Sequence, residues 1–571
     1  MIAEWLTIFQ LARHFSVQNC VARAFLINHP NLMGTIDNAM ASNHTHVGVP
    51  HPELIPDTPF PPAMLHHIRI VVAAFLAAFS IASLAAEPSA SPRWLPASPE
   101  KLPRWRGFNL LEKFSLPSGR KPFLEEDFRL IAKLGFNFVR LPMDYRFWIK
   151  DGNWEEFDEA ELKEIDQVVA WGEKYGIHAA INFHRAPGYT VAQPAERTNL
   201  WTNADTQRVC AQHWAMFARR YRGIPSTRLS FNLMNEPGNV APKVYAAVVR
   251  KLVEAIRRED PQRLIIADGL QWGNVPVPEL SDLHIAQATR GYTPMEISHY
   301  KASWVGGESF PVPQWPRVLP PNGVLLSPAK SEGSHPLVID GPFDQQTALR
   351  LHVLTVSNSA RLVVEAGGKQ ILDKQFKCGP GSGEWKRANF KPQWGIYQNL
   401  FDRDYPCSIP AGTRQVRIRV AEGDWLEIGQ IGLKPTGAAK ETVLDFRQEY
   451  GRMPQPFRFA PGIPGGPIIG LPTQDREWLW KQCIEPWKDV ENQGIGIMVG
   501  EWGVFNQTPH DVVLRWAEDC LANWQKAGWG WAMWNFRGSM GVMDSGRRDI
   551  RYEDFEGHKL DRKLMDLLQR Y

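Results

Sequence analysis

The chain has 571 residues, 44% hydrophobic and 22% charged, the balance of an ordinary globular protein with room for several domains. Its formal net charge of +3 excludes the strong basic excess that a nucleic acid or an acidic membrane would call for. The 23 tryptophans are unusual, and their flat apolar faces suit either large cores or sugar rings.

Residues 1–63 show no clear period and end in the Pro-rich run PELIPDTPFPPA. From Met64 a short n-region carries Arg69 with His66 and His67. Ile70 to Ala82 follows as an apolar h-region, and Ser83-Leu84-Ala85 fits a small-x-small cleavage site. The apolar run is short for a membrane span and a Pro/Ser linker follows it. Residues 64–86 therefore read as a signal peptide, 87–100 as a linker, and 1–63 as an extension outside the mature protein. The expected location is secreted or periplasmic, with no membrane partner. Export makes disulfides possible. Cys20 is lost with the leader, leaving Cys210, Cys378, Cys407, Cys483 and Cys520, of which Cys378 and Cys407 lie in one local module and could pair.

From about residue 100 the chain alternates strand and helix. GFNFVRLP (135–142) reads as a strand. DEAELKEIDQVVAWGEKYG (158–176) reads as a helix: Asp158 N-caps it, Glu161 completes a capping box, and Leu162, Ile165, Val168, Val169 and Gly172 keep one face apolar. Gly176 stops it. Strands follow at IHAAINFH (177–184), RLSFNLMNEP (228–237), RLIIADGLQWG (263–273) and LHIAQATRGY (283–292), with helical segments at 206–223 and 242–260 between them. GIGIMVGEWG (494–503), helical 514–528 and WGWAMWNF (529–536) repeat the pattern late in the chain. With WRGFNL (105–110) this makes eight strands, and the fold class is α/β, a (β/α)8 TIM barrel.

Between strands six and seven the pattern breaks. Pro-rich linkers at 309–321 and 451–472 bracket about 130 residues that read as all-β. LRLHVLTV and QVRIRV alternate apolar and polar, and Gly367-Gly368 marks a hairpin turn. The expected domains are a first barrel segment at 101–321, an inserted β-sandwich at 322–451 and a second barrel segment at 452–571. A loop after strand six belongs to the catalytic face of such a barrel, so the insert is expected to abut the cleft and help bind or orient what the cleft takes.

The strand ends hold the chemistry. Strand two ends at Arg140, three at His184, four at Asn235-Glu236, six near Arg290 and Tyr292, seven at Glu501 and eight at Trp534. Two carboxylates from opposite strands, one protonated to donate and one ionised to attack, are the kit of a glycosidase. Tyr145, Trp148, Trp272 and Trp304 follow strand ends and are candidates to stack on sugars, though each could equally pack the core. His299 joins them as a binding candidate. His184 and His299 form no H-x-H or H-E-x-x-H ligand pattern, and no phosphate-binding or nucleophile-elbow motif occurs, so neither a metal nor a cofactor is expected.

NEP after an apolar strand, VGEWG (499–503), FVRLP (138–142), NFHRAPGY (182–189) and WAMWNF (531–536) together resemble glycoside hydrolase family 5, the cellulase family. The likeness covers about 100–305 and 473–571. It implies a retaining O-glycosyl hydrolase with Glu236 as acid/base and Glu501 as nucleophile. Arg140, His184 and Asn235 would support them, and Trp534 would lie under the sugar at the cleavage point. The implied partner is a β-linked polysaccharide, first a β-1,4-glucan; β-mannan, other β-glucans and exo-acting β-glucosidase activity are the alternatives. A non-catalytic carbohydrate-binding protein is the remote one, and loss of either Glu would have signalled it. One departure stands out. The family's strand six usually ends His-x-Tyr, whereas ATRGYTP (288–294) aligns Tyr292 with the Tyr and puts Arg290 in place of the His. His299-Tyr300 is the other alignment. On the first, a permanent cation stands near Glu501; its bland alternative is a pairing with Glu296 away from the cleft.

Overall fold

The computed structural model describes residues 94–330, 335–463 and 466–571. Eight strands run parallel: β1 (Arg106–Asn109), β2 (Phe138–Asp144), β3 (His178–Ala186), β4 (Leu229–Asn232), β5 (Leu264–Asp268), β6 (Ala286–Gly291), β7 (Ile497–Trp502) and β8 (Gly530–Met533). Each pairs with the next, and β8 pairs back to β1, so the sheet closes into a barrel as expected. Helices α1 (Glu125–Lys133), α2 (Glu159–Tyr175), α3 (Ala204–Arg220), α4 (Pro242–Glu259), α5 (Arg476–Cys483), α6 (Glu485–Asn492), α7 (His510–Ala527) and α8 (Arg562–Arg570) contribute to the layer outside the strands.

Local signals explain the helix ends. Asp158 caps α2 by accepting from the Ala160 amide, and Gly176 ends it in the left-handed region at φ 70°. The expected capping box does not close. The Asp158 amide donates to the Trp148 carbonyl at 3.0 Å instead, and Glu161 turns to Lys113, 2.7 Å away, and to Arg120.

The barrel interior is divided along its axis, and this division builds the site. Toward the strands' N-terminal ends the inward positions are mostly apolar: Phe138, Ala180, Leu264, Ile266, Ala286, Ala288, Met498 and Ala532 form one buried cluster, with the bonded pair His178–Ser230 beside it. One pleat further along, the same inward rows carry Asn109, Arg140, Asn182, Asn232, Asp268 and Arg290, all buried. On β7 simple alternation would put Gly500 inward and Glu501 outward. A bulge prevents this: Val499 opposes Thr289 but Glu501 opposes Arg290, so β7 carries one extra residue there. The bulge turns Glu501 into the barrel, the re-aiming such irregularities perform beside active sites.

The insert is all-β, but its strands hydrogen-bond into one ten-stranded network rather than two separate sheets. It is built on two long antiparallel strands, Thr347–Ala366 and Thr413–Pro435, over a core that includes Leu349, Leu351, Val353, Ile418 and Ile431. Gly367 and Gly368, at φ 56° and 80°, make the expected hairpin turn between Ala366 and Lys369. The sheet does not stop at 451: Phe457–Phe459 runs parallel to Leu337–Phe343, and Ile468–Ile469 pairs with Phe457–Phe459. Two short strands of the second Pro-rich stretch are thus part of the insert's sheet. The two crossings between barrel and insert meet in a short antiparallel ladder, Arg317 opposite Gln474 and Val318 opposite Thr473. Trp315 fixes this stem to the barrel, its indole N–H donating to Asp519 at 2.9 Å. Cys378 and Cys407 are free thiols, and Cys378 donates to the Val356 carbonyl.

Candidate active site

Arg140 lies at the centre. Its Nη1 donates to Glu501 Oε1 at 2.6 Å and to Asn109 Oδ1 at 3.0 Å; Nη2 donates to Asn235 Oδ1 at 2.8 Å and Nε to Asn232 Oδ1 at 2.7 Å. Every arm of the guanidinium is occupied, so its position is fixed and Glu501 is fixed with it. Burial works to lower the pKa of Arg140, and Glu501 opposes that.

Arg290 is the second cation. Its Nε donates to Glu236 Oε1 at 3.0 Å, and its Nη2 reaches Asp268 Oδ2, Asn235 Oδ1 at 3.1 Å and Glu501 Oε1 at 3.2 Å. One guanidinium therefore touches both candidate carboxylates. The structure does not give Arg290 the bland alternative role: Glu296 pairs with Arg317 instead. Two glycines make room for it. A Cβ at Gly273 would lie 2.6 Å from Arg290 Cγ, at a φ of +80°, and one at Gly500 would lie 3.0 Å from Nη1. Burial alone would lower the pKa of Arg290, but Asp268, Glu501 and Glu236 outweigh it and hold the group charged.

Glu236 leaves β4 on a left-handed residue, φ 52°. Three bonds pin this turn. Asp268 Oδ2 accepts from the Glu236 amide at 2.9 Å, and Tyr189 Oη donates to the Glu236 carbonyl at 2.6 Å while accepting from the Gly238 amide at 2.9 Å. The Glu236 side chain keeps 17% of its surface open, whereas that of Glu501 keeps 4%. Burial, then the negative charge of Glu501, push the Glu236 carboxyl up to about 7, against the pull of Arg290. A charge count shows why one proton stays. Arg140 and Arg290 face Asp268, Glu501 and Glu236, so the cluster is neutral when one of the three acids is protonated. Glu501 contacts both guanidinia and accepts from Tyr292 Oη at 3.3 Å, while Glu236 contacts one guanidinium. The proton belongs on Glu236.

His184 and Trp534 stack with ring centroids 5.5 Å apart, and Phe114 packs edge-on to both. Burial lowers His184 to about 4, so it is a neutral imidazole, and its Nδ1 has no partner. Asn235 Nδ2 is likewise a buried donor without an acceptor. Tyr292 meets Glu501; His299 is buried against the Tyr292 ring and bonded through Nδ1 to Ser298 Oγ, so it backs the wall rather than facing it. Trp272, 46% exposed, covers Gly238 beside Glu236, and Trp304, 58% exposed, stands against His299 and Phe505.

Two candidates are corrected. Trp148 is fully buried, its indole N–H donating to His213 and its ring set against Phe183 and Phe217. Tyr145 is buried too, bonded to Glu196 and receiving the Trp154 indole N–H. Both follow β2, but the short 3-10 turn at Tyr145–Phe147 leads into strand Ile149–Lys150 and folds these rings into the outer core. The sequence reading missed Asn109, Asn182, Asn232, Asp268, Tyr189 and Phe114. Asn182 and Asp268 carried a signal: each is a polar residue one pleat beyond an apolar inward residue of its strand, Ala180 and Ile266. Among the described residues, no group of three or more His, Cys, Asp or Glu side chains is arranged to hold a metal.

Residues 100–299 match the model of the cellulase family, glycosyl hydrolase family 5. The first barrel segment is thus similar to the catalytic domain of family 5. Endoglucanase C of Acetivibrio thermocellus is 29% identical over 184 residues, covering 32% of this chain and 53% of that protein. Cellodextrinase A of Ruminococcus flavefaciens is 28% identical over 192 residues, covering 32% and 54%. The chain thus spans about half the length of the curated relatives it matches. A solved glycoside hydrolase superposes with a TM-score of 0.53 at 26% identity, over 82% of this chain and 99% of the other. The match to the family model ends before the stem of the insert, so the family 5 likeness rests on the first barrel segment; β7 and β8 lie outside it and close the sheet.

Proposed function

We propose that this barrel is a family 5 retaining β-glycoside hydrolase that cleaves β-1,4-glucan within the chain. The observation that carries the reading is the pair of carboxylates on β4 and β7, held by one shared guanidinium, with burial and the neighbouring Glu501 pushing the Glu236 carboxyl up. Glu236 gives its proton to the scissile oxygen as Glu501 attacks the anomeric carbon. The bond to the leaving sugar breaks, and a glycosyl-enzyme forms on Glu501. Glu236, now ionised, takes a proton from water, whose oxygen displaces Glu501 and restores the original configuration. Arg140 and Tyr292 hold Glu501 in line. Asn235 Nδ2, a donor with no protein acceptor, is placed for a sugar hydroxyl, and Trp534 with His184 supplies a flat wall for the ring. The acid form of Glu236 is the working form, so kcat/KM is full below about 7 and declines as pH rises through it.

The glucan assignment leans on the names of the relatives, the endoglucanase first among them. The export reading of 64–86 and a glycan-binding role for the insert belong to the same proposal. The export segment lies outside the described residues; among those described, no helix is long and apolar enough to cross a membrane. The deciding experiment is reducing-sugar release from carboxymethyl-cellulose, mixed-linkage glucan and mannan with product sizing, beside Glu236→Gln and Glu501→Gln. Internal cuts in glucan that both variants abolish support the proposal. Release of glucose alone reassigns the enzyme as exo-acting, and no release from any substrate removes the proposal.

A further inference from the structure

Asp268 takes no part in the chemistry just described, yet it is the most completely enclosed charge in the barrel mouth. It ends β5, has no exposed surface, and spends both oxygens on the site. Oδ2 accepts from the Glu236 amide at 2.9 Å and from Arg290 Nη2, with Arg140 Nη2 at 3.9 Å, and Oδ1 accepts from Asn232 Nδ2 at 2.9 Å. After strand five the sequence singled out Trp272, not Asp268.

We infer that Asp268 is a positioning residue of the proposed reaction: it anchors Arg290, offsets that cation's charge, and so keeps the proton on Glu236. The inference rests on the reading of Glu236 as the acid. It starts from the departure on β6. An arginine cannot give up its charge as a histidine can, and this one donates directly to the acid it would ionise. An acid beside a bare guanidinium is an ionised acid. Asp268 makes the arrangement workable by binding the same guanidinium through Nη2, leaving Nε for Glu236. The charges around Glu236 come from every wall: Arg140 on β2, Asp268 on β5, Arg290 on β6 and Glu501 on β7. The titratable Tyr189, Tyr292 and His184 complete the surroundings; burial keeps both phenols and the imidazole neutral. With Asp268 present, the neutral cluster has Glu236 protonated. Without it, two arginines face two glutamates, and the neutral cluster has Glu236 ionised. The backbone bond to the Glu236 amide adds a geometric role, since it pins the left-handed turn that aims the carboxyl.

The test is kcat/KM against pH for wild type, Asp268→Asn, Arg290→Gln and the double variant. Two β-aryl glycosides are used, one with a poor and one with an activated leaving group. Asp268→Asn should move the alkaline limb to lower pH by roughly one to two units. It should also slow the poor leaving group much more than the activated one, because only the former needs the proton. Arg290→Gln should move the limb the other way. The double variant, with the pair removed together, should return the limb toward wild type, which a merely structural residue would not do. A folded Asp268→Asn whose limb stays in place overturns the inference, as does a double variant no closer to wild type than the single. If Asp268→Asn does not fold, Arg290→Gln still decides: an unmoved limb refutes the charge coupling. If the wild type hydrolyses no β-glycoside, the proposed function has failed separately. Titration of 13C-labelled Glu236 carboxyl in wild type and Arg290→Gln would then still show whether the Asp268–Arg290 pair sets its protonation.

Discussion

Replacing Glu501 by alanine empties a carboxylate position that three donors line: Arg140 Nη1 at 2.6 Å, Arg290 Nη2 at 3.2 Å and Tyr292 Oη at 3.3 Å. The side chain is almost wholly buried, so its loss leaves cations that water solvates poorly. Breaking such a pair costs about 3–5 kcal/mol of stability. It also creates an anion site. Asp268 offsets one guanidinium, and when Glu236 holds its proton the other leaves the pull of roughly one cation, which at about 4 Å and an effective dielectric near 20 is about 4 kcal/mol. That corresponds to a dissociation constant of about 1 mM for a small anion. Glu501→Ala should therefore lose several orders of magnitude in kcat, and azide should restore turnover with half-saturation on the order of 1 mM. The assay is release of an activated phenol from an aryl β-cellobioside across an azide series, with the product's anomeric configuration read by NMR. Azide replaces the nucleophile in a single displacement, so the glycosyl azide should be inverted. A product of retained configuration would exchange the roles of Glu501 and Glu236. Rescue that stays linear far above millimolar azide would show that the guanidinia do not form the anion site.

Glu236→Gln should cost about 10²–10⁴ in kcat/KM on a glucan, the usual contribution of a general acid, and far less on a glycoside with an activated leaving group. It should also flatten the alkaline limb near pH 7; a limb that persists would belong to another group. Trp148→Ala should lower stability by about 3–5 kcal/mol in a urea titration with KM unchanged, because its ring lies in the core. Trp534→Ala should do the reverse, raising KM roughly tenfold, about 1.4 kcal/mol of stacking, with little change in the urea midpoint. Replacing 319–472 by a short linker should leave a folded barrel, since the stem ladder already holds the cut ends side by side. KM on polymer should rise while KM on an aryl glycoside holds, and unchanged values for both would deny the insert a role in binding.

The barrel was legible because its strands are short apolar runs joined by helices with one apolar face, and both signals are local. Glu236 and Arg140 were legible because a charge ending an apolar strand is costly unless used. Period-two alternation, counted from Ile266 and Ala180, would also have reached Asp268 and Asn182. Glu501 breaks that count, because its bulge exists only as a mismatch of register between β7 and its neighbours. The same limit explains Trp148. Its place after β2 is a fact of sequence, but the turn that folds it against Phe183 depends on tertiary packing. The end of the insert was misplaced for a related reason. Proline and glycine around 451–472 advertise loop, whereas Phe457–Phe459 pairs with a strand more than a hundred residues earlier.

The ladder joining Arg317–Val318 to Thr473–Gln474 has a consequence for how the chain assembles. Unfolded, the roughly 150 residues between those strands separate β6 from β7 and burden the closing of the barrel with a long loop. The cost of closure grows with the logarithm of loop length, so replacing that span by a connection of a few residues removes about 3 kcal/mol. An insert that folds on its own core first becomes, for the barrel, a connection only as wide as one pair of strands. The order of events is then set by topology. On that route the insert matures first and the eight-stranded ring closes last, which puts the contact that completes the mouth, Glu501 against Arg140 and Arg290, among the final ones made.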